Sequence, residues 1–162
     1  MARKYCRPIA TAHRYLAPLS RRCWSCDGPL WMAYHATRTV ATLDGLCQFR
    51  LAVRRCVNRA CALYHQPYRP EEEGSVALPK GEFGLDVIAA IGTLRYAEHR
   101  SVPEIHRTLR ARGVDIAERT VTYLLERYEE LVALRLADQP RLRVALQQQG
   151  RVILAIDGLQ PD

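Results

Sequence analysis

The chain has 162 residues, 48% of them hydrophobic, and 24 Lys/Arg against 17 Asp/Glu give it a net charge of +7. This length suits one ordinary domain or two small modules, and the apolar content is that of a folded protein. No stretch approaches the ~18 apolar residues of a membrane span, and residues 1–22, broken by Arg3, Lys4, Arg7, Arg14, Arg21 and Arg22, hold no apolar run that could act as a secretion signal.

The charge is uneven. Residues 1–69 carry 12 Lys/Arg, 11 of them Arg, against Asp27 and Asp44 alone, a net +10; residues 70–162 carry 12 basic and 15 acidic side chains, a net −3. A small Arg-rich module of that charge suits a polyanion, most simply nucleic acid. No amphipathic basic helix points to a membrane surface. A reducing cytosol is the expected compartment, in which close cysteine pairs hold metal rather than bridge.

Residues 1–22 lack a clear period and read as a basic arm along a phosphate backbone or as a solvated tail. Cys6 and His13 lie here without partners in sequence. Cys23-Trp24-Ser25-Cys26 and Cys56-Val57-Asn58-Arg59-Ala60-Cys61 then form two close cysteine pairs about 30 residues apart, the pattern of a four-thiolate zinc site. Asp27-Gly28-Pro29 supplies the tight turn that such a knuckle needs. Between the pairs, Leu30 to Val40 is rich in aromatic and β-branched residues and reads as strand. Leu43-Asp44-Gly45 is a hairpin turn. Gln48 to Arg55 alternates in part, with Phe49, Leu51 and Val53 on one face and Gln48, Arg50, Ala52 and Arg54 on the other. The whole is a zinc ribbon with too little core to fold without metal. Cys47 is expected to pack inside it, and His65 is a reserve ligand.

Residues 67–81 contain Pro67, Pro70, Pro79 and the acidic run Glu71-Glu72-Glu73, and read as a linker. Three helices follow. The first, 82–99, presents Phe83, Val87, Ile91 and Leu94, broadened by Ile88 and Ala90. The second opens on the capping box Ser101-Val102-Pro103-Glu104, presents Val102, Ile105 and Leu109, and stops at Gly113. The third, from about Ile116 to Leu136, is expected to take Asp115 as its cap with Glu118. Its stripe is Ala117, Val121, Leu124, Leu125, Tyr128, Leu131 and Val132. This order is that of a helix-turn-helix, or of an ordinary three-helix bundle. In the former, the third helix enters the major groove by its N-terminal end. Arg119 and Thr122 then read bases, Tyr123 holds a phosphate, and Arg107 and Arg110 grip the backbone, with Arg50 and Arg54 of the ribbon adding phosphate contacts. His106 is expected to be packed or partly exposed, and Glu126, Glu129 and Glu130 to form a salt-bridged face with Arg127. A short helix over 138–150 precedes Val152-Ile153-Leu154-Ala155-Ile156-Asp157-Gly158, which reads as a buried strand ending in a carboxylate.

The Cys23/Cys26 and Cys56/Cys61 pairs, Arg119-Thr120-Val121 and Val152 to Gly158 together resemble the N-terminal part of bacterial insertion-sequence transposases of the DDE type. That resemblance implies that the zinc and helical modules bind the terminal repeats of the element. It also implies that Asp157 is the first of three metal-binding carboxylates on an RNase H-like sheet. Only five residues follow Asp157, so the other carboxylates of a two-metal centre have no place in the chain. A protein that binds DNA but does not cut it alone is expected, not an enzyme in itself.

The expected fold is therefore α+β in small modules. These are a basic arm plus zinc ribbon (1–66), a linker (67–81), a three-helix helix-turn-helix domain (82–137), and a connecting helix with an incomplete first RNase H-like strand (138–162). The expected partners are zinc, double-stranded DNA, and a second chain or another copy of this one. Magnesium would enter only with a catalytic domain supplied by that second chain. The expected location is the nucleoid. The alternatives are a split-transposase subunit completed by another polypeptide, and a zinc-ribbon regulator or adaptor.

Overall fold

The computed structural model describes residues 9–137 and 139–149. Cys6 and the strand expected at Val152–Gly158, with Asp157, lie outside them. The described chain is mixed α and β: a small four-stranded sheet and five helices.

The sheet is built on one long hairpin. Strand β2 (Leu30–Thr42) runs antiparallel to β3 (Gly45–Cys56), and Leu43 and Asp44 close the turn between them. Strand β3 is central. Its Cys47, Phe49, Leu51 and Val53 are buried, as the alternation predicts, but so is Ala52, which the alternation placed on the outer face. On its other side β1 (Ala12–Leu16) pairs in parallel with Cys47–Leu51, and β4 (Pro67–Tyr68) pairs antiparallel with Arg54 and Arg55. The residues read as an arm or tail therefore include a strand. Arg14 on it is tied down, 3.4 Å from Glu72 and 6.0 Å from the Phe49 ring centre. One core lies under the sheet, where Leu16, Val40, Cys47, Phe49, Leu51 and Ala77 meet.

The stretch read as a linker is packed against this sheet. After β4 comes the single turn α1 (Glu73–Val76). Glu73 is 8% exposed, yet it is charged. Arg38 Nη1 donates to its Oε1 (2.6 Å), and Arg69 donates from Nε to Oε2 and from Nη2 to Oε1 (both 2.8 Å). Arg38 Nη2 also donates to Leu78 O (2.5 Å) and to Gly81 O. One arginine of β2 thus gathers the whole 73–81 segment. The chain then runs beside β2: Ala41 N–H donates to Glu82 O and Gly84 N–H to Ala41 O, each at 2.8 Å.

Helix α2 (Leu85–Gly92) continues through a π-helical turn, Thr93–Ala97. Helices α3 (Val102–Ala111), α4 (Glu118–Leu136) and α5 (Gln139–Gln149) follow. Val87, Ile88, Ile91 and Leu94 meet Ile105 and Leu109 of α3, Val114 and Ile116 of the connection, and Val121, Leu124 and Leu125 of α4 in a second core. A Cβ at Gly92 would lie 2.2 Å from the Tyr128 ring, so only glycine lets α2 approach α4 there. Ser101 N–H donates to Glu104 Oε2 (2.8 Å), completing the capping box of α3. The second expected cap does not form. Helix α4 begins at Glu118 after Ala117, because Arg110 takes the Asp115 carboxylate as its ion-pair partner.

The Arg69 hydrogen bonds first, and then those of Arg38, hold the Glu73 carboxyl below its ordinary value. A lowered carboxyl contributes stability that is present above its unfolded pKa and is lost as pH falls through its folded one. Removing one member of a buried, hydrogen-bonded pair strands the other. Glu73→Ala should therefore cost about 2–3 kcal/mol at neutral pH, read as a lower urea midpoint at unchanged slope. The variant should also lose part of the acid-side decline of stability seen in the parent.

Candidate metal centre

The two cysteine pairs sit on turns that the local sequence builds. In the first, Asp27 N–H donates to Cys23 O and Cys23 N–H to Gly28 O, each at 2.9 Å. Asp27 takes φ +52°, a conformation that Asp tolerates better than most residues. A Cβ on Gly28 would lie 3.3 Å from Cys26 Sγ, so the glycine leaves room for the sulfur. In the second, Asn58 Oδ1 accepts from Ala60 N–H (3.0 Å), and Asn58 O accepts from Cys61 N–H (3.1 Å). The hairpin does the rest. Leu30 opposes Cys56 across β2 and β3, which brings the two turns to the same end of the sheet.

Cys23, Cys26, Cys56 and Cys61 converge there, their four sulfurs all within 4.8 Å of one another. Cys23 Sγ lies 3.6 Å from Cys61 Sγ, and Cys26 Sγ 3.6 Å from Cys56 Sγ. The sulfurs are too far apart for a disulfide, which needs ~2.05 Å. They fit a tetrahedral thiolate site, whose metal–sulfur bonds of about 2.3 Å imply sulfur–sulfur edges of about 3.8 Å. Leu30 and Tyr68 enclose the cluster. Four thiols so close and so buried are a donor set for a soft or borderline metal ion.

The environment already favours ionisation of one sulfur. Tyr68 Oη lies 3.1 Å from Cys23 Sγ. This bond, helped by the backbone N–H groups of Cys26 and Ser25, brings the Cys23 thiol down to about 6 against the effect of burial. Tyr68 keeps its proton, raised to about 12 chiefly by the same bond. Burial, with the neighbouring thiols, pushes Cys56 up to about 12.

Cys47 stays apart, in the core beneath the sheet, where burial raises its thiol. His65 also stays out of the cluster. It is exposed at φ +60° and stacks on Tyr64 at 4.1 Å. Tyr68 is a residue that sequence reasoning missed, because it lies in the stretch read as linker and nothing in its spacing links it to Cys23.

The other candidate residues are spread over two regions. Arg50 is exposed on the sheet face opposite the core, in register with Tyr15 and Thr37. Arg54 is half-buried. Arg119 and Thr122 are exposed on the first turns of α4. Tyr123, 52% exposed, borders a cleft of about 580 Å³ with Phe83, Leu124 and Leu131, and Arg127 sits 5.0 Å over its ring while pairing with Glu130 at 2.7 Å. Arg107 is exposed, and Arg110 is held by Asp115. His106 Nε2 lies 3.0 Å from Ile116 O, inside the α3–α4 connection. Among the described residues no helix is long and apolar enough to cross a membrane.

Comparison with protein-family models, with curated proteins and with solved structures finds no match to this chain.

The cluster should bind one metal ion per chain. Substituting cobalt(II) should give the sulfur-to-metal charge-transfer band and the visible bands of a tetrahedral four-thiolate site. Cys56→Ser should abolish that spectrum, while Cys47→Ser should leave it intact. Tyr68→Phe removes a hydrogen bond to a ligand and should weaken the ion by about 10-fold or more, measured by competition with a chromogenic chelator.

Proposed function

We propose that this chain is a zinc-dependent, sequence-specific binder of double-stranded DNA, corresponding to the terminal-repeat-binding part of a DDE-type transposase. In this reading Cys23, Cys26, Cys56 and Cys61 hold one zinc ion. Four protein thiolates complete a tetrahedron and leave no open position for water, so the ion is structural and not catalytic. Its role is to set the root of the β2–β3 hairpin, from which the arginines of β3 project.

The observation that carries the reading is how the arginines divide. Arg14, Arg22, Arg38, Arg69, Arg100, Arg110 and Arg127 each lie within ion-pair distance of a carboxylate. Among the described residues, Arg50, Arg54, Arg55 and Arg59 on and beyond β3, and Arg107 and Arg119 on the helices, have no such partner, nor have Arg21, Arg95, Arg112, Arg135 and Arg143. The guanidinium groups of β3 and its following loop, left without carboxylates in a segment of net +10, are free to take phosphates.

The helices suit base reading in the same way. In this reading helix α3 and helix α4, joined by a connection with buried Val114 and Ile116, serve as the two limbs of a helix-turn-helix. The core takes Val121, Leu124 and Leu125 of α4 and leaves Arg119 and Thr122 outward near its N-terminus. Arg119 can address guanine with two donors, and Thr122 a thymine methyl or a phosphate. Arg110 would have to exchange Asp115 for a phosphate, so it contributes less than Arg107.

Selection of the zinc-loaded protein against random duplexes, beside a chelated sample, tests the proposal. One recovered motif, lost on chelation, is expected. Arg119→Ala should cost about 1–3 kcal/mol of specific binding and relax one position of the motif, while Arg50→Ala should weaken all sequences alike and lower the salt slope by about one. Retention of duplexes without any motif would reduce the protein to a general polyanion binder and sink the assignment of α4.

A further inference from the structure

Both tryptophans of the chain stand in water, and both lie beside the cysteine cluster. Trp24 is 75% exposed and Trp31 63%. Large aromatic surface is costly to leave exposed, and duplex binding through α4 gives these rings no role. Trp24 has a neighbour, its ring centre 5.4 Å from that of Tyr68 in an edge-to-face arrangement. Trp31 instead forms one wall of an open cleft of about 260 Å³, with Tyr34, Arg55, Val57 and His65 around it. The volume is below that of pockets enclosing whole small molecules, ~300 Å³ and up.

The cleft is ordered by the fold. Trp31 and Arg55 are direct cross-strand partners. The Arg55 guanidinium lies 5.5 Å from the Tyr34 ring centre, so a ring rather than a carboxylate holds it. Its Nε–H is buried without an acceptor, and it makes no ion pair among the described residues. His65, stacked on Tyr64, is anchored through its N–H to Cys56 O at 3.4 Å. A flat, open indole therefore stands beside a guanidinium plane without a counter-charge, in a segment with two acidic residues.

We propose that this cleft receives an unpaired base of single-stranded nucleic acid, stacked on Trp31, with the adjoining phosphate on Arg55. In a duplex the faces of the bases are covered by their neighbours, and only their edges are open. An exposed aromatic face next to an unpaired arginine selects a base whose own face is free. The site goes beyond the duplex reading and does not rest on it.

The Trp24→Phe protein leaves Trp31 as the sole tryptophan. With zinc bound, its emission should fall on titration with oligo-dT and stay nearly constant with a blunt duplex. An oligo-rU arm distinguishes a DNA from an RNA source of the base. In the parent, Trp31→Ala should weaken oligo-dT or oligo-rU by about 5- to 150-fold, the loss expected for one base–aromatic stack, and Trp31→Phe should restore most of it. Because Trp31 is largely exposed, metal content should not change in either variant. Unchanged affinity of Trp31→Ala, or binding of both oligonucleotides without quenching, would overturn the site. Binding of a duplex motif with no affinity for either oligonucleotide would overturn it while leaving the duplex reading intact. Quenching by oligonucleotides without any duplex motif would support it and remove the duplex reading.

Discussion

Four sulfurs held within 4.8 Å of one another at the root of a hairpin impose a condition on everything around them. Thiolates at that spacing repel, and burial opposes the ionisation of Cys56, pushing it up to about 12. A shared cation reverses both effects, since it draws the protons off and gives the charges a centre. The sheet would gain from that outcome. The core beneath it gathers six buried residues, and the cluster at its end adds Leu30, Tyr68 and the cysteines. A sheet this small is marginal on burial alone, so affinity for an ion at these cysteines would add to the folding free energy of β2, β3 and β4.

A second polar contact then decides how the helices meet that sheet. Arg38 leaves the core-side face of β2 and reaches Glu73, Leu78 and Gly81, fixing the path of the chain just before it pairs with Ala41. Asp86 Oδ2 accepts the Leu43 N–H at 2.8 Å, so the hairpin tip also holds the start of α2, and Leu43 packs on the helical core. The sheet thus meets the helices at the end opposite the cysteines. The cysteine cluster closes one end of the hairpin and the helices the other, with the exposed Arg50 face between them.

What the sequence shows clearly is what local chemistry decides. The Cys pairs, the Asp44-Gly45 turn, the Ser101–Glu104 box and the alternation through Phe49, Leu51 and Val53 each act over a few residues, and all appear in the structure. The features that were not legible depend on partners far away. Strand β1 buries only Leu16, so it has no alternation to read, and it exists because β3 offers it an open edge. The 67–81 segment has the composition of a linker, yet Tyr68, Glu73 and Ala77 are buried with the help of distant groups: Cys23 lies against Tyr68, Arg38 against Glu73, and Leu16 and Val40 share the core with Ala77. Asp115 has the form of a cap, but Arg110, five residues earlier, takes its carboxylate. Propensity names the groups able to act, and tertiary competition decides which ones do.

The acidic run at 71–73 shows how such competition shapes function. In sequence it is a charge block of the kind that usually marks solvated chain. In the fold each carboxylate has its own partner. Glu71 accepts the Leu19 N–H at 2.9 Å, Glu72 meets Arg14, and Glu73 binds Arg38 and Arg69. Three arginines of the basic segment are thereby used up in holding it together. Among the described residues, the arginines left without a carboxylate in this segment are Arg21 and, on β3 and the loop of the second cysteine pair, Arg50, Arg54, Arg55 and Arg59. The positive field of the described residues is thus narrower than the net charge suggests, and most of it lies on the part of the sheet that ends at the cysteine cluster. If an ion holds these cysteines, its loss would disperse those arginines without removing any of them, which is the physical reason the proposed nucleic-acid binding should vary with metal content.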